Sequence, residues 1–225
     1  MAAAVIAILS AMQNRVLTPV DRFLSGLDNA LRTVAAPAGR AARANPAAGV
    51  ADAALTDSQK AHAAGLMRVN HAGEIAAQGL YQGHAAVARD AAVERQMQQA
   101  ANEEHDHLAW CEERLAELES HPSRLSPIWY AGSFAIGAAS GLLGDRWSLG
   151  FIAETEKQVC AHLASHLDNL PDADAKSRAI VAQMREEEQK HGADATAAGA
   201  AELPPAIHRL MRWTASVMTK SAYWI

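Results

Sequence analysis

The sequence predicts an all-α protein built on a four-helix bundle, with a long apolar crossover helix between bundle helices two and three. Three observations predict it. Half of the residues are apolar yet only 5% are aromatic, and Ala dominates, which favours helix over strand. Val and Ile are sparse, and no long segment alternates apolar with polar residues, as a half-buried strand would. Four long segments mix polar and apolar residues at helical spacing, two on each side of a charge-free stretch. At 225 residues the chain suffices for one good-sized domain with appendages.

Residues 1–55 make up an N-terminal helix and linker. The opening MAAAVIAILSAM has a signal-peptide-like apolar run but no basic segment before it, so it reads as an extension or an interfacial helix. Residues 13–33 fit an amphipathic helix with Leu17, Val20, Leu24, Leu27 and Leu31 on one face. Residues 34–55 are interrupted by Pro and Gly and lack periodicity, which predicts a linker.

The helical domain is expected over residues 56–225. Thr56 and Asp57 can cap a helix that runs to about Arg89, whose glycines cost propensity that packing must offset. A second helix spans roughly Asp90 to Glu119 and stops before the prolines of SHPSRLSP. The crossover occupies 125–145. Helices over about Arg146–Asn169 and Ala173–Ala201 follow, each ended by a Pro-containing turn, and a C-terminal amphipathic helix fills 205–223.

The net charge of −5 and the absence of a long basic run give no sign of a general nucleic-acid binder. Cys111 and Cys160 both lie in helical stretches and read as small thiols in a reducing compartment.

Counting in steps of three and four exposes the chemistry. The stripe of the second bundle helix is Met97, Ala101, Glu104, Leu108, Cys111, Leu115 and Leu118. That of the third is Leu149, Ile152, Glu156, Val159, Leu163, Leu167 and Leu170, and the fourth carries Val181, Met184, Glu188, His191, Ala195 and Ala198. In the first, Met67, Asn70, Glu74, Tyr81 and Ala85 share a face. Each helix therefore aims one Glu at the core. A lone buried carboxylate costs several kcal/mol unless paired or metal-bound, and four together would repel. Two of the helices add a His three residues on, as Glu104-x-x-His107 and Glu188-x-x-His191, on the same side of the helix. Four carboxylates with two imidazoles suit divalent iron or manganese, and this is the ligand pattern given for di-iron and di-manganese sites in ferritin-like bundles.

Neighbouring groups are assigned as follows. Glu103, Glu112, Glu113, Glu186 and Glu187 are expected to face solvent, and His105 to lie on the surface. His71, three residues before Glu74, is expected to support the ligands by hydrogen bonding. His162 is placed either beside the metal or substrate pocket or in an interhelical hydrogen bond, and Tyr81 is read as a core Tyr or a redox group.

At RVNHAGEIAAQGLYQG, EEHDHLAW, AETEKQVCAHL and REEEQKHGADA the chain resembles the demethoxyubiquinol hydroxylases of ubiquinone biosynthesis, a membrane-associated branch of the ferritin-like di-iron proteins. The resemblance runs from about Leu66 to the C-terminus. It implies two Fe ions, with Glu74 and Glu156 as terminal ligands, Glu104 and Glu188 bridging, and His107 and His191 completing the set; His162 matches a His near the metals. Two positions depart from many members: Asn70 stands where they have Asp, and Leu163 where they have Tyr, so electron transfer through a Tyr at that position is not assumed.

The implied reaction is O2-dependent ring hydroxylation of a polyprenylated methoxy-methyl-benzoquinol. Its implied partners are that quinol, O2, an unidentified electron donor and membrane lipid, with a second copy of the chain or other ubiquinone-biosynthesis proteins as further candidates; no flavin is expected. The residues alone reach only a dinuclear site for oxygen chemistry, which an iron-storing protein or a hydroxylase of modified tRNA would also use, although the missing basic patch disfavours RNA.

Residues 125–144 carry no charge. A single membrane crossing there would separate Glu104 from Glu156, so the segment must return along the bundle with its apolar face free for lipid or a prenyl tail. Trp129, Tyr130 and Trp147 flank it as interfacial aromatics would. The C-terminal helix, with Ile207, Leu210, Met211, Val217 and Met218 beside Arg209, Arg212 and Lys220, reads as interfacial. The expected location is peripheral, on the cytoplasmic face of a bacterial inner membrane; no Arg- and Ser-rich transit segment points to a mitochondrion.

Overall fold

The computed structural model describes residues 19–36 and 38–225, and among these it is all-helical, with no strand. The seven helices are α1 (Pro19–Ala35), α2 (Asp57–Val87), α3 (Ala91–Glu117), α4 (Ser126–Leu143), α5 (Asp145–Asn169), α6 (Ala175–Ala197) and α7 (Pro205–Ala222). The MAAAVIAILSAM segment and Leu17 lie outside the described residues.

Local chemistry sets the boundaries. Thr56 and Gln59 form a reciprocal capping box at the start of α2. Asp90 caps α3 through the Ala92 N–H at 2.7 Å. Asp145, opening α5, accepts the backbone N–H groups of Arg89 and Asp90, which ties the α2–α3 turn to the α4–α5 turn.

Helix α2 is the hub. It packs along α3 and α4 and meets α1 and α7, while α5 pairs with α6. The α2–α4 contact explains the glycines of α2. A Cβ on Gly79 or Gly83 would strike the backbone of Tyr130 or Phe134, and one on Gly137 of α4 would strike the backbone of Leu80. The two helices approach closely because these side chains are missing, and that contact offsets their propensity cost. One face of α4 is therefore buried, and its opposite face leaves Ile128, Ile136, Leu142 and Leu143 exposed. None of the described helices is long and apolar enough to cross a membrane.

The segment expected as a plain linker is tied down instead. Among its described residues it has no regular helix between Ala35 and Asp57, but its backbone and side chains bond to α3 and α6: Ala38 N to Glu112, Ala42 N to Asp106, Asn45 to Glu113, and Arg43 to both Asp106 and Glu187, all between 2.6 and 2.7 Å. Of the acids it uses, Glu112, Glu113 and Glu187 were expected to face solvent.

The interior divides into apolar clusters at the two ends of the α2, α3, α5 and α6 group. Met67, Trp110, Cys111, Leu115, Leu163, Ile180 and Met184 fill one. Leu80, Tyr81, Met97, Leu149 and Ile152 fill the other. Cys111 is buried, Cys160 half-buried, and both are free. Leu163 sits in the apolar core, away from any polar role.

Candidate metal centre

Glu74, Glu104, Glu156 and Glu188 come from α2, α3, α5 and α6 respectively, and none is more than 3% exposed. They are buried because each occupies the apolar stripe of its helix: Leu108, Cys111 and Leu115 continue the Glu104 line, and Ile180, Val181 and Met184 lead to Glu188. Ligand atoms of Glu74, Glu104, His107 and Glu188 all lie within 4.8 Å of one another. Nδ1 of His107 is 2.9 Å from Glu104, 3.1 Å from Glu188 and 3.6 Å from Glu74. Nδ1 of His191 lies 3.1 Å from Glu104 and 3.2 Å from Glu188. Glu156 joins from the side of Tyr81, which donates its hydroxyl to Glu156 at 2.6 Å.

The polar atoms at the centre converge without satisfying one another. Both oxygens of Glu104, Oε1 of Glu188 and Nδ1 of His107 are buried with no aligned hydrogen-bond partner among the described residues. Buried polar atoms are rarely left so. A cluster of anionic oxygens and imidazole nitrogens aimed at a common point is the donor set that a divalent cation satisfies.

Without a cation, protons must balance the charge. Burial, and then the charges of Glu104 and Glu188, push the Glu74 carboxyl well above its ordinary range; burial with Glu188 and Glu104 does the same to Glu156. For His107 burial acts to lower the pKa, but the carboxylates of Glu104, Glu187 and Glu188 outweigh it and hold it well above the usual value. His191 is likewise pushed up to about 12 by Glu104 and Glu188 against its burial. Protonated, the two imidazoles balance the carboxylates, and an incoming metal must displace the protons on their inward-facing nitrogens.

The outer nitrogens of the two rings reveal residues that the sequence reading placed wrongly. Nε2 of His107 donates to Glu187 at 2.7 Å, and Nε2 of His191 donates to Glu103 at 2.7 Å. Each supporting Glu directly precedes the core Glu of the opposite helix. Glu103 and Glu187 are therefore half-buried supports that fix each ring with Nδ1 facing inward. A signal was present: Gln99, Glu103, Glu104 and His107 repeat the spacing of Gln183, Glu187, Glu188 and His191, and each Gln bonds the Glu four residues on. Helical phase alone could not find it, because the bonds run between helices. Glu113, Glu186 and His105 are exposed as expected, whereas Glu112 is half-buried against the Ala38 N–H.

His71 does not support the cluster directly. Its Nε2 lies 3.6 Å from Glu112, its Nδ1 has no partner among the described residues, and it lines a cavity of about 300 Å³ with Gln78, Ala101, Leu108 and Glu112. A three-residue step from Glu74 turned it far enough to face α3 and the N-terminal segment. His162 is half-buried and makes no hydrogen bond among the described residues. Its neighbour His166 does: Nδ1 lies 2.6 Å from Oδ1 of Asn70, and burial, with His162 and His62 nearby, lowers the His166 pKa to about 4. A neutral Asn70 therefore faces a neutral His166.

Comparison with known proteins adds to this geometry. Residues 61–225 match the family model described as "Ubiquinone biosynthesis protein COQ7". A Ralstonia pickettii protein named 3-demethoxyubiquinol 3-hydroxylase is 55% identical over 217 residues, covering 92% of this chain and 100% of that protein. Proteins of the same name from Nitrosospira multiformis and Nitrosococcus oceani are 54% and 50% identical, over 92% and 95% of this chain and 99% and 100% of their own lengths.

Proposed function

Because the chain belongs to the COQ7 family of ubiquinone-biosynthesis proteins, we propose that it is a 3-demethoxyubiquinol 3-hydroxylase working through a carboxylate-bridged di-iron centre. The observation that carries the proposal is the buried convergence of Glu74, Glu104, His107 and Glu188, with Glu156 and His191 at its edge, in a chain half identical to proteins of that name. In the balanced reaction a polyprenylated methoxy-methyl-benzoquinol, O2, two electrons and two protons give the ring-hydroxylated quinol and water. The fold we assign is the ferritin-like four-helix bundle, with α2, α3, α5 and α6 as the bundle, α4 as the crossover and α7 as an amphipathic appendage.

In this reading Glu74, Glu104, His107, Glu156, Glu188 and His191 would hold the two ions between them, each bundle helix giving one carboxylate and α3 and α6 one imidazole each. When bound, the iron pair supplies O2 activation. The chain's own residues do the rest. Glu187 and Glu103 orient the two imidazoles, and Tyr81 restrains Glu156. Met97, Leu149 and Ile152 pack with Tyr81 in the apolar cluster beside Glu156. A cavity of about 80 Å³ lined by Tyr81, Met97, Glu103, Ile152 and His191 has the size for O2 or water to approach, not for a ring.

We further propose peripheral attachment to the cytoplasmic side of a bacterial inner membrane. Every exposed large apolar side chain among the described residues belongs to α1, α4, α7 or the two C-terminal residues Trp224 and Ile225. Apolar exposure concentrated this way suits an interfacial surface. The substrate's tail favours the bilayer by about 0.8 kcal/mol per buried CH2, so the enzyme goes to the substrate.

The proposal is tested by expressing the gene in a bacterium that lacks its own demethoxyubiquinol hydroxylase. Restored ubiquinone with loss of the accumulated demethoxy compound is expected. An unchanged quinone profile with folded, iron-loaded protein present would contradict the assignment.

A further inference from the structure

The two halves of the centre are matched in sequence but held differently. Each supporting Glu receives a Gln from its own helix, at 3.0 Å for Glu103 and 2.7 Å for Glu187. Among the described residues only Glu187 also receives an arginine. Arg43 Nη1 reaches Glu187 Oε1 at 2.6 Å, and its Nε reaches Asp106 Oδ2 at 2.6 Å. Its guanidinium lies 4.9 Å above the ring of Trp110, which is buried and 5.4 Å from the His107 ring. Asp106 is fixed in turn by the Ala42 N–H. Among the described residues no Lys or Arg forms an ion pair with Glu103.

This arrangement separates two effects of Arg43. A cation near a metal site weakens ion binding by repulsion, whereas a clamp on the supporting Glu strengthens it by fixing the ring. Here Asp106 sits as close to Arg43 as Glu187 does, so the trio has a net charge of −1 and the repulsion is largely cancelled. What remains is orientation. With Oε1 of Glu187 held by Arg43 and Gln183, Oε2 is left facing Nε2 of His107. The planar fork of Arg spans both acids at once, which a Lys ammonium cannot do from one geometry.

We propose that Arg43 is a positioning residue that acts through Glu187 on His107. The N-terminal segment thereby makes the His107 half of the centre hold its ion more firmly than the His191 half. Arg43 lies before the 61–225 family region, so this device adds to the ligand set. The inference rests on the reading of the cluster as a two-metal centre.

The test uses full-length protein loaded anaerobically with Fe(II) and challenged with excess chelator, with iron release followed by absorbance. Loss of a ligand's direct outer partner, here Glu187, costs about 10–100-fold in affinity. R43Q, which acts through Glu187, is expected to accelerate release by at most about tenfold, the low end of that range, and R43K should recover part of that loss. The deciding readout is a cycle. R43Q should add nothing in an E187Q background but multiply with E103Q, which acts on the other half. Melting of the metal-free variants reports general loosening separately. Wild-type release from R43Q, or equal multiplication in both backgrounds, would overturn the proposal. If R43Q does not fold, R43K carries the same cycle with a smaller acceleration. Failure of the wild type to take up iron at all would strike the two-metal reading instead.

Discussion

Tyr81 donates its hydroxyl to Oε1 of Glu156 across 2.6 Å, and both side chains are almost wholly buried. The pair joins α2 to α5 at the edge of the cluster, whereas His107 of α3 faces Glu188 of α6 and His191 of α6 faces Glu104 of α3.

Tyr81→Phe keeps the ring and removes only the donor. The Glu156 oxygen then loses its partner in a buried setting, at a cost of ~1–3 kcal/mol. The metal-free variant should melt below wild type by a matching amount. The deficit should shrink with Fe(II) bound, because the cation then satisfies the carboxylate. Equal melting of the two metal-free proteins would show that the bond contributes nothing.

Stability of the metal-free protein should fall as pH rises. Glu74, Glu156, His107 and His191 all have folded pKa values above their ordinary ones. A group raised in this way contributes stability that is complete below its unfolded pKa, roughly 4.3 for Glu and 6.5 for His, and is lost as pH climbs toward the folded value. Glu187, drawn down to about 2 by His107, Arg43 and Gln183 against its burial, works oppositely and loses its contribution only as pH falls below about 4. Melting temperature without metal should therefore decline from about pH 6 to about pH 9, and metal addition to a weakly buffered sample should release protons. A rising melting temperature over that window, or no proton release, would contradict these protonation states.

Ile136 and Leu142 are exposed on the outer face of α4, 44% and 63% accessible. Replacing either with Asp puts a charge where lipid is proposed to sit. Sedimentation with lipid vesicles should weaken and turnover of a long-tailed quinol should drop, while iron content and activity on a tailless analogue persist. A wild-type protein that ignores vesicles, or an Ile136→Asp variant that loses iron and fold together, would argue against the lipid face.

The sequence carried the parts of this account that depend on one helix at a time. Glu104 and Glu188 were visible because an apolar stripe with a single Glu is anomalous within its own helix, and helix ends followed from Thr56, Asp90 and the prolines. What depended on contact between elements was not legible. Glu103 and Glu187 look like solvent-facing charge until the opposite helix supplies a His. Residues 34–55 look like a linker because they lack periodicity, yet Arg43, Ala38 and Ala42 dock on acids of α3 and α6. His71 was assigned by helical phase to Glu74, and the approach of α3 gave it Glu112 instead. The spacing of Gly79 and Gly83 read as a cost to α2 until the backbone of α4 was found against them.

The most direct test of the central claim is a turnover in isotopically heavy O2. Purified Fe(II)-loaded protein would be given a short-tailed 3-demethoxyubiquinol and a two-electron reductant, and the product analysed by mass spectrometry. We expect one heavy oxygen in the new ring hydroxyl, with no product from metal-free protein or from Glu104→Ala, which should also have lost most of its iron. Unlabelled product, equal labelling by Glu104→Ala, or iron oxidised and retained with the quinol untouched would contradict the assignment.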